Sequence, residues 1–153
     1  MNMNEPPHGV AAYATRRQRL LQAMGAGVAI VPTAPERTRN RDSQYPYRFD
    51  SYFYYLSGFP EPEAVLVLVA GESPRSILFC RDKHEEREIW DGFRYGPPAA
   101  REHFGVDEAR PHEDEDEPRL GDDLLGRHGG DRVVVAAVDL VGVGIRLEVG
   151  RQH

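Results

Sequence analysis

At 153 residues, 40% hydrophobic and 29% charged, the chain has the size and balance of one soluble globular domain. A formal charge of −6 makes it a poor general binder of nucleic acid or anionic membrane, and no apolar run approaches the roughly 20 residues that a membrane span needs. The single cysteine, Cys80, excludes an internal disulfide and fits a reducing cytoplasm. The opening MNMNEPPHGV has no basic stretch followed by an apolar one, so no secretory signal is expected. The acidity is local. Residues 107–123 hold nine acids and two arginines, a sum of −7, which leaves the rest of the chain near +1.

Residues 1–10 are polar and proline-rich and read as a flexible terminus. From Tyr13 to Met24 the apolar positions Tyr13, Leu20, Leu21 and Met24 fall at helical spacing, with Arg16, Arg17 and Arg19 between them. Gly25 stops that helix, and GVAIV (27–31) predicts a short buried strand closed by Pro32. Residues 33–48 hold almost no aliphatic side chain and read as a long surface loop. In DSYFYYLSGF, Asp50 or Ser51 caps a short helix that Gly58 ends. EAVLVLVAG (63–71) and SILFCRD (76–82) predict a hairpin-like antiparallel pair, the first a central strand covered on both faces.

KHEEREIW (83–90) predicts a short helix, and another starts at Pro97 or Pro98, runs through His103 and ends at Gly105. Asp114–Leu125 reads as an acidic helix that Pro118 and Gly121 interrupt. Val133–Val138 is a strand, and 139–150 a weaker one with three glycines. This order of elements predicts an α/β fold, a mixed β-sheet flanked by helices, with its C-terminal closure in question.

The stretch RDSQYPYRFDSYFYYLSGFPEPEAVLVL (41–68) resembles the N-terminal domain of the aminopeptidase P family, the Xaa-Pro aminopeptidases. The likeness runs in order from the arginine-rich helix through EIWDGFRYGPPAA (88–100), over about residues 11–110. It implies an α/β domain that precedes a larger "pita-bread" catalytic domain. There, two Mn²⁺ ions bound by two Asp, one His and two Glu hydrolyse the bond before proline. The present chain carries no such ligand spacing, so it is expected to hold no cofactor and no catalytic residue of its own. His84 and Glu88, at i and i+4, read as a solvated surface pair.

The resemblance also suggests partners: the catalytic domain and neighbouring subunits of a homo-oligomer, with no nucleic acid and no membrane. Asp42, Tyr45, Tyr47 and Arg48 then face the substrate groove or an adjoining subunit. The competing reading packs the two tyrosines on the sheet, with Asp42 and Arg48 capping backbone groups, and both stand open. Trp90, the only tryptophan, leans towards the interface over the alternative of filling the core edge. Tyr52, Phe53, Tyr54, Tyr55 and Phe59 read as core and interface packing. Arg37, Arg39, Arg41 and Arg48 are expected to pair with Glu36, Asp42 and Asp50 rather than to bind phosphate. Cys80 reads as a buried, inert thiol, and HEDEDE (112–117) as solvated rather than calcium-binding.

Three stretches divide the chain: 1–10, a domain over 11–127, and an atypical tail over 128–153. The tail's Val, Gly, Asp and Arg are residues that GC-rich codons yield in almost any frame, which suggests a frameshift or truncation of a longer gene. The functional expectation is a non-catalytic domain that governs oligomerisation and substrate access. Its rivals are a stand-alone interaction module and a nonfunctional gene fragment.

Overall fold

A computed structural model describes residues 9–112. The expectations for 1–8, the acidic helix, the two late strands and the 128–153 tail lie outside the described residues. Helix α1 spans Val10–Met24, three residues earlier at its start than the apolar spacing predicts. The Gly25 N–H closes it on the Leu21 carbonyl. Strand β1 (Gly27–Pro32) follows.

The stretch 33–48 is a loop only in part. It carries a small exposed hairpin, β2 (Thr38–Asn40) paired with β3 (Ser43–Gln44). Its turn is held by the Asn40 side chain, whose Oδ1 accepts from Ser43 N at 3.0 Å and Ser43 Oγ at 2.8 Å. Apolar alternation marks strands that bury a face, and this hairpin buries none, so the pattern had nothing to report.

Helix α2 (Ser51–Ser57) is capped as its sequence demands: the Asp50 carboxylate accepts from Phe53 N at 2.9 Å. Gly58 ends it in the left-handed region at φ 69°. A Cβ at that position would stand 2.9 Å from the Tyr13 ring, so glycine is required for both backbone and space. Strands β4 (Val65–Ala70) and β5 (Arg75–Cys80) form the expected antiparallel pair, with Leu66 opposite Leu78.

Helix α3 runs over Glu85–Asp91 and α4 over Pro97–Phe104, with proline in the first turn of α4 and Gly105 at its end. Strand β6 (Glu108–Pro111) then pairs parallel to β5, which makes the four-stranded sheet β1-β4-β5-β6 mixed. No local pattern announced β6. Its four residues, EARP, contain one aliphatic side chain, and pairing to β5 decides its conformation.

All six positions of β4 are buried, as a central strand requires. Leu66 and Leu68 point to a core shared with Phe53, Phe59, Ala100 and Phe104 from the helical side. Val65, Val67 and Val69 point the other way, into a cluster with Ile30, Ile77 and Phe79. Strand period 2 divides these residues between the two faces.

One charge lies inside the helical core. Arg17, which the sequence places among solvent-facing arginines, is buried. Its guanidinium donates to the carbonyls of Leu56 (2.9 Å), Phe104 (3.1 Å) and Gly105 (3.0 Å). These are the carbonyl ends of α2 and α4, which carry the negative end of each helix dipole. Burial draws the Arg17 pKa down to about 10, so the group is still a cation at neutral pH. No helix among the described residues is long and apolar enough to cross a membrane.

Candidate functional site

Trp90 lies on α3 and is 88% exposed, so it does not fill the core edge. Ile89 and Phe93 beside it are exposed at 79% and 55%. Three large apolar side chains therefore stand in solvent on α3 and the turn after it, as a rim rather than a core. The rim is braced by charges. The Glu88 carboxylate accepts from Arg94 N at 2.7 Å and from Lys83 Nζ at 3.2 Å, and the Arg94 bond above all holds its pKa below the usual range. Lys83 also stands 4.7 Å from the Phe93 ring centre and donates to the Arg94 carbonyl. Glu88 is thus spent on the turn that follows α3 rather than serving with His84 as a paired ligand.

The rim borders a cavity of about 570 Å³. His84, Arg87 and Trp90, three residues apart on α3 or its cap, line one wall. Arg81 and Asp82 follow β5, and His112 follows β6, where its backbone N–H donates to the Cys80 carbonyl at 2.8 Å. Glu36 and Gln44 reach the cavity from the hairpin segment. Glu63 lines it from a backbone at φ 54°, a left-handed conformation that a residue with a side chain adopts at a cost of about 1 kcal/mol or more.

Behind the cavity sits a buried ionic group that sequence reasoning missed. Glu61 accepts from Tyr95 N at 2.8 Å and stands 3.8 Å from the Arg81 guanidinium. Burial raises its pKa, against the Tyr95 hydrogen bond and the nearby Arg81 and Arg94 charges. A glutamate in a proline-flanked turn gives no sign of burial, because its partners lie far along the chain.

The sequence-predicted residues are not all brought together. Tyr47 packs on its own domain: its hydroxyl bonds Thr33 Oγ1 at 2.8 Å and donates to the Ala34 carbonyl at 3.0 Å, and burial raises its pKa. Asp42, Tyr45 and Arg48 are exposed. Asn40, not Asp42, provides the capping carboxamide in this turn. Among the described residues, Arg37, Arg39, Arg41 and Arg48 make no ion pair with Glu36, Asp42 or Asp50; the Asp50 carboxylate caps α2 instead. The aromatic segment splits: Phe53 and Phe59 are fully buried, Tyr54 stacks on Phe49 at 3.9 Å, and Tyr52 and Tyr55 face solvent. Cys80 is a buried free thiol whose pKa burial pushes up to about 12.

Residues 13–122 match the family model for the aminopeptidase P, N-terminal domain. The chain belongs to this family. It is 48% identical over 100 residues to the Xaa-Pro aminopeptidase of Escherichia coli (strain K12), covering 63% of this chain and 23% of that protein. It is 36% identical over 126 residues to Xaa-Pro aminopeptidase 3 of Dictyostelium discoideum, covering 79% of this chain and 24% of that one.

Zinc-substituted E. coli aminopeptidase P in complex with product superposes with a TM-score of 0.66 at 44% identity, over 68% of this chain and 24% of that chain. Proline aminopeptidase P II from Yersinia pestis gives 0.65 at 47%, over 67% and 24%. The chain therefore spans about a quarter of the length of these relatives. The family match also reaches residue 122, beyond the stretch of about 11–110 over which the motifs show the resemblance. Among the described residues, no three His, Cys, Asp or Glu side chains are grouped to hold a metal ion. This part of the domain has no donor set for the two Mn²⁺ that the resemblance implies.

Proposed function

We propose that the chain serves an Xaa-Pro aminopeptidase as its non-catalytic N-terminal domain, over residues 11–127, with 128–153 as an atypical tail. The reaction served is hydrolysis of the bond before proline, carried out on Mn²⁺ in a separate pita-bread domain. A bond to proline has no N–H to offer, so a site that relies on that donor is mismatched, and the pocket needs walls shaped for the ring. This domain supplies such a wall and orients neighbouring subunits of a homo-oligomer. Trp90, Asp42, Tyr45 and Arg48 face the groove or the adjoining subunit, and Tyr47 holds the loop that carries three of them. The compartment is the cytoplasm, where the lone Cys80 stays reduced.

One observation carries this reading: Trp90 is 88% exposed at the edge of a cavity, the most exposed large apolar side chain among the described residues. The test uses the purified 153-residue chain with Mn²⁺ and a short Xaa-Pro peptide, and a sizing run with a full-length relative. No turnover and co-elution with the enzyme are expected. Turnover above background, or a monomer that ignores the enzyme, overturns the reading.

A further inference from the structure

Glu61, 6% exposed in the turn before β4, has two carboxylate oxygens in unequal surroundings. Oε1 accepts the Tyr95 N–H at 2.8 Å. Oε2 is shut from solvent and accepts no hydrogen bond; the Arg81 guanidinium stands 3.8 Å from it, beyond hydrogen-bond length. Arg81 is equally short of partners. Its Nε is buried without an acceptor, and among the described residues the Glu61 contact is its one ion pair. A buried ion pair that lacks hydrogen bonds recovers little of the desolvation of its two charges.

Alternatives to that pair are already in place. A proton can sit on Oε2, because Oε1 keeps the Tyr95 N–H. Arg81 also lines the cavity of about 570 Å³ together with Glu36, Glu63 and Asp82. Among the described residues these three carboxylates make no ion pair, so they can receive a guanidinium in a wetter setting. The neighbouring N–H, that of Arg94, is held separately by Glu88 at 2.7 Å. The turn after α3 thus has two carboxylate holds of different origin.

We propose that Glu61 is a proton-operated latch on Arg81: ionised, it keeps the guanidinium inside the domain, and protonated on Oε2, it keeps the Tyr95 N–H but releases Arg81 to the cavity carboxylates. The groups that face Glu61 are Arg81 and Cys80 from β5 and its end, Arg94 and Tyr95 from the turn after α3, and Glu88 on α3. The Tyr95 N–H and the two arginines favour the carboxylate and Glu88 opposes it, while the Cys80 thiol and the Tyr95 hydroxyl are neutral in acid. Burial outweighs the favourable partners and raises the Glu61 pKa above its ordinary 4.5, whereas Glu88 is held below it. As pH falls, the folded chain therefore protonates Glu61 first, and Glu88 still holds the turn when Arg81 is let go. The stabilisation tied to the Glu61 proton is complete below pH 4.5 and is lost as pH rises through the folded value. The α3 rim keeps its place in both states; what changes is the charge that the cavity presents.

Nuclear magnetic resonance on the intact 153-residue chain, with carboxyl-labelled glutamate and nitrogen-labelled arginine, tests the latch between about pH 7 and about pH 4. Glu61 should titrate above 4.5 and Glu88 below it. The Arg81 Nε signal, identified by its loss in R81K, should shift in one step at the Glu61 midpoint while the Tyr95 amide stays protected from exchange. E61Q, neutral throughout, should show the acid-form Arg81 signal at neutral pH and no step, and E88Q should keep the step. If E61Q does not fold, the wild-type midpoints decide. An Arg81 signal that stays put, follows Glu88, or moves only with unfolding in circular dichroism overturns the latch. A Glu61 midpoint at or below 4.5, or a folded E61Q with the wild-type Arg81 signal, does the same.

Discussion

Where α1, α2 and α4 lie on the sheet, large side chains vanish from solvent: Phe53, Phe59, Leu66 and Leu78 are fully buried. On the rim formed by the 33–48 segment and α3, side chains of the same size stand in water. The same residue type therefore has two meanings in one small domain. Phenylalanine at 53 is worth folding energy, whereas tryptophan at 90 is worth almost none and is free to serve contact. Substitutions that separate stability from association test this division.

The largest expected effect is in the core. Phe53→Ala should cost about 3–5 kcal/mol, read as a shift of the urea midpoint at unchanged slope. Arg17→Met comes next. It leaves three helix-end carbonyls without a donor and should cost about 2–4 kcal/mol, with Arg17→Lys recovering only part because one ammonium cannot span both helix ends. A loss under about 0.5 kcal/mol for Arg17→Met would show the cation to be incidental.

Cys80 gives a chemical version of the comparison. Its folded pKa of about 12 lies above the usual 9.0, so the folded state holds its proton longer than the unfolded one. Its contribution to stability is complete below pH 9 and declines as pH rises towards 12. Alkylation at pH 8 should then require unfolding, and labelling of the folded chain at the rate of a free thiol would contradict the burial. The smallest effect belongs to the rim: Trp90→Ala should change stability by less than about 0.5 kcal/mol while weakening co-elution with a full-length relative.

Legibility followed the same division. The strands at 65–70 and 75–80, the Asp50 cap and the glycine stops at 25, 58 and 105 were readable because burial and backbone chemistry leave local marks. The β2–β3 hairpin and β6 were not, since neither is spelled in apolar alternation and both depend on main-chain pairing. Arg17 and Glu61 were misread or missed for a related reason. Their partners stand tens of residues away, and a charge looks solvated until those partners are in place. For the candidate site, Trp90 was visible as a singular residue, whereas Arg87 and His112 come to line the same cavity only through the topology of α3 and β6.

The Arg17 contacts reach 39 residues to Leu56 and 87 to Phe104. During synthesis α1 emerges before α2 and α4, yet its cation has no complete set of acceptors until the chain has been made past residue 105. Until then the guanidinium is better off in water than against an unfinished core. Helix α1 is thus fixed by chain that is made well after it, which ties its final placement to completion of both helix ends that Arg17 bridges.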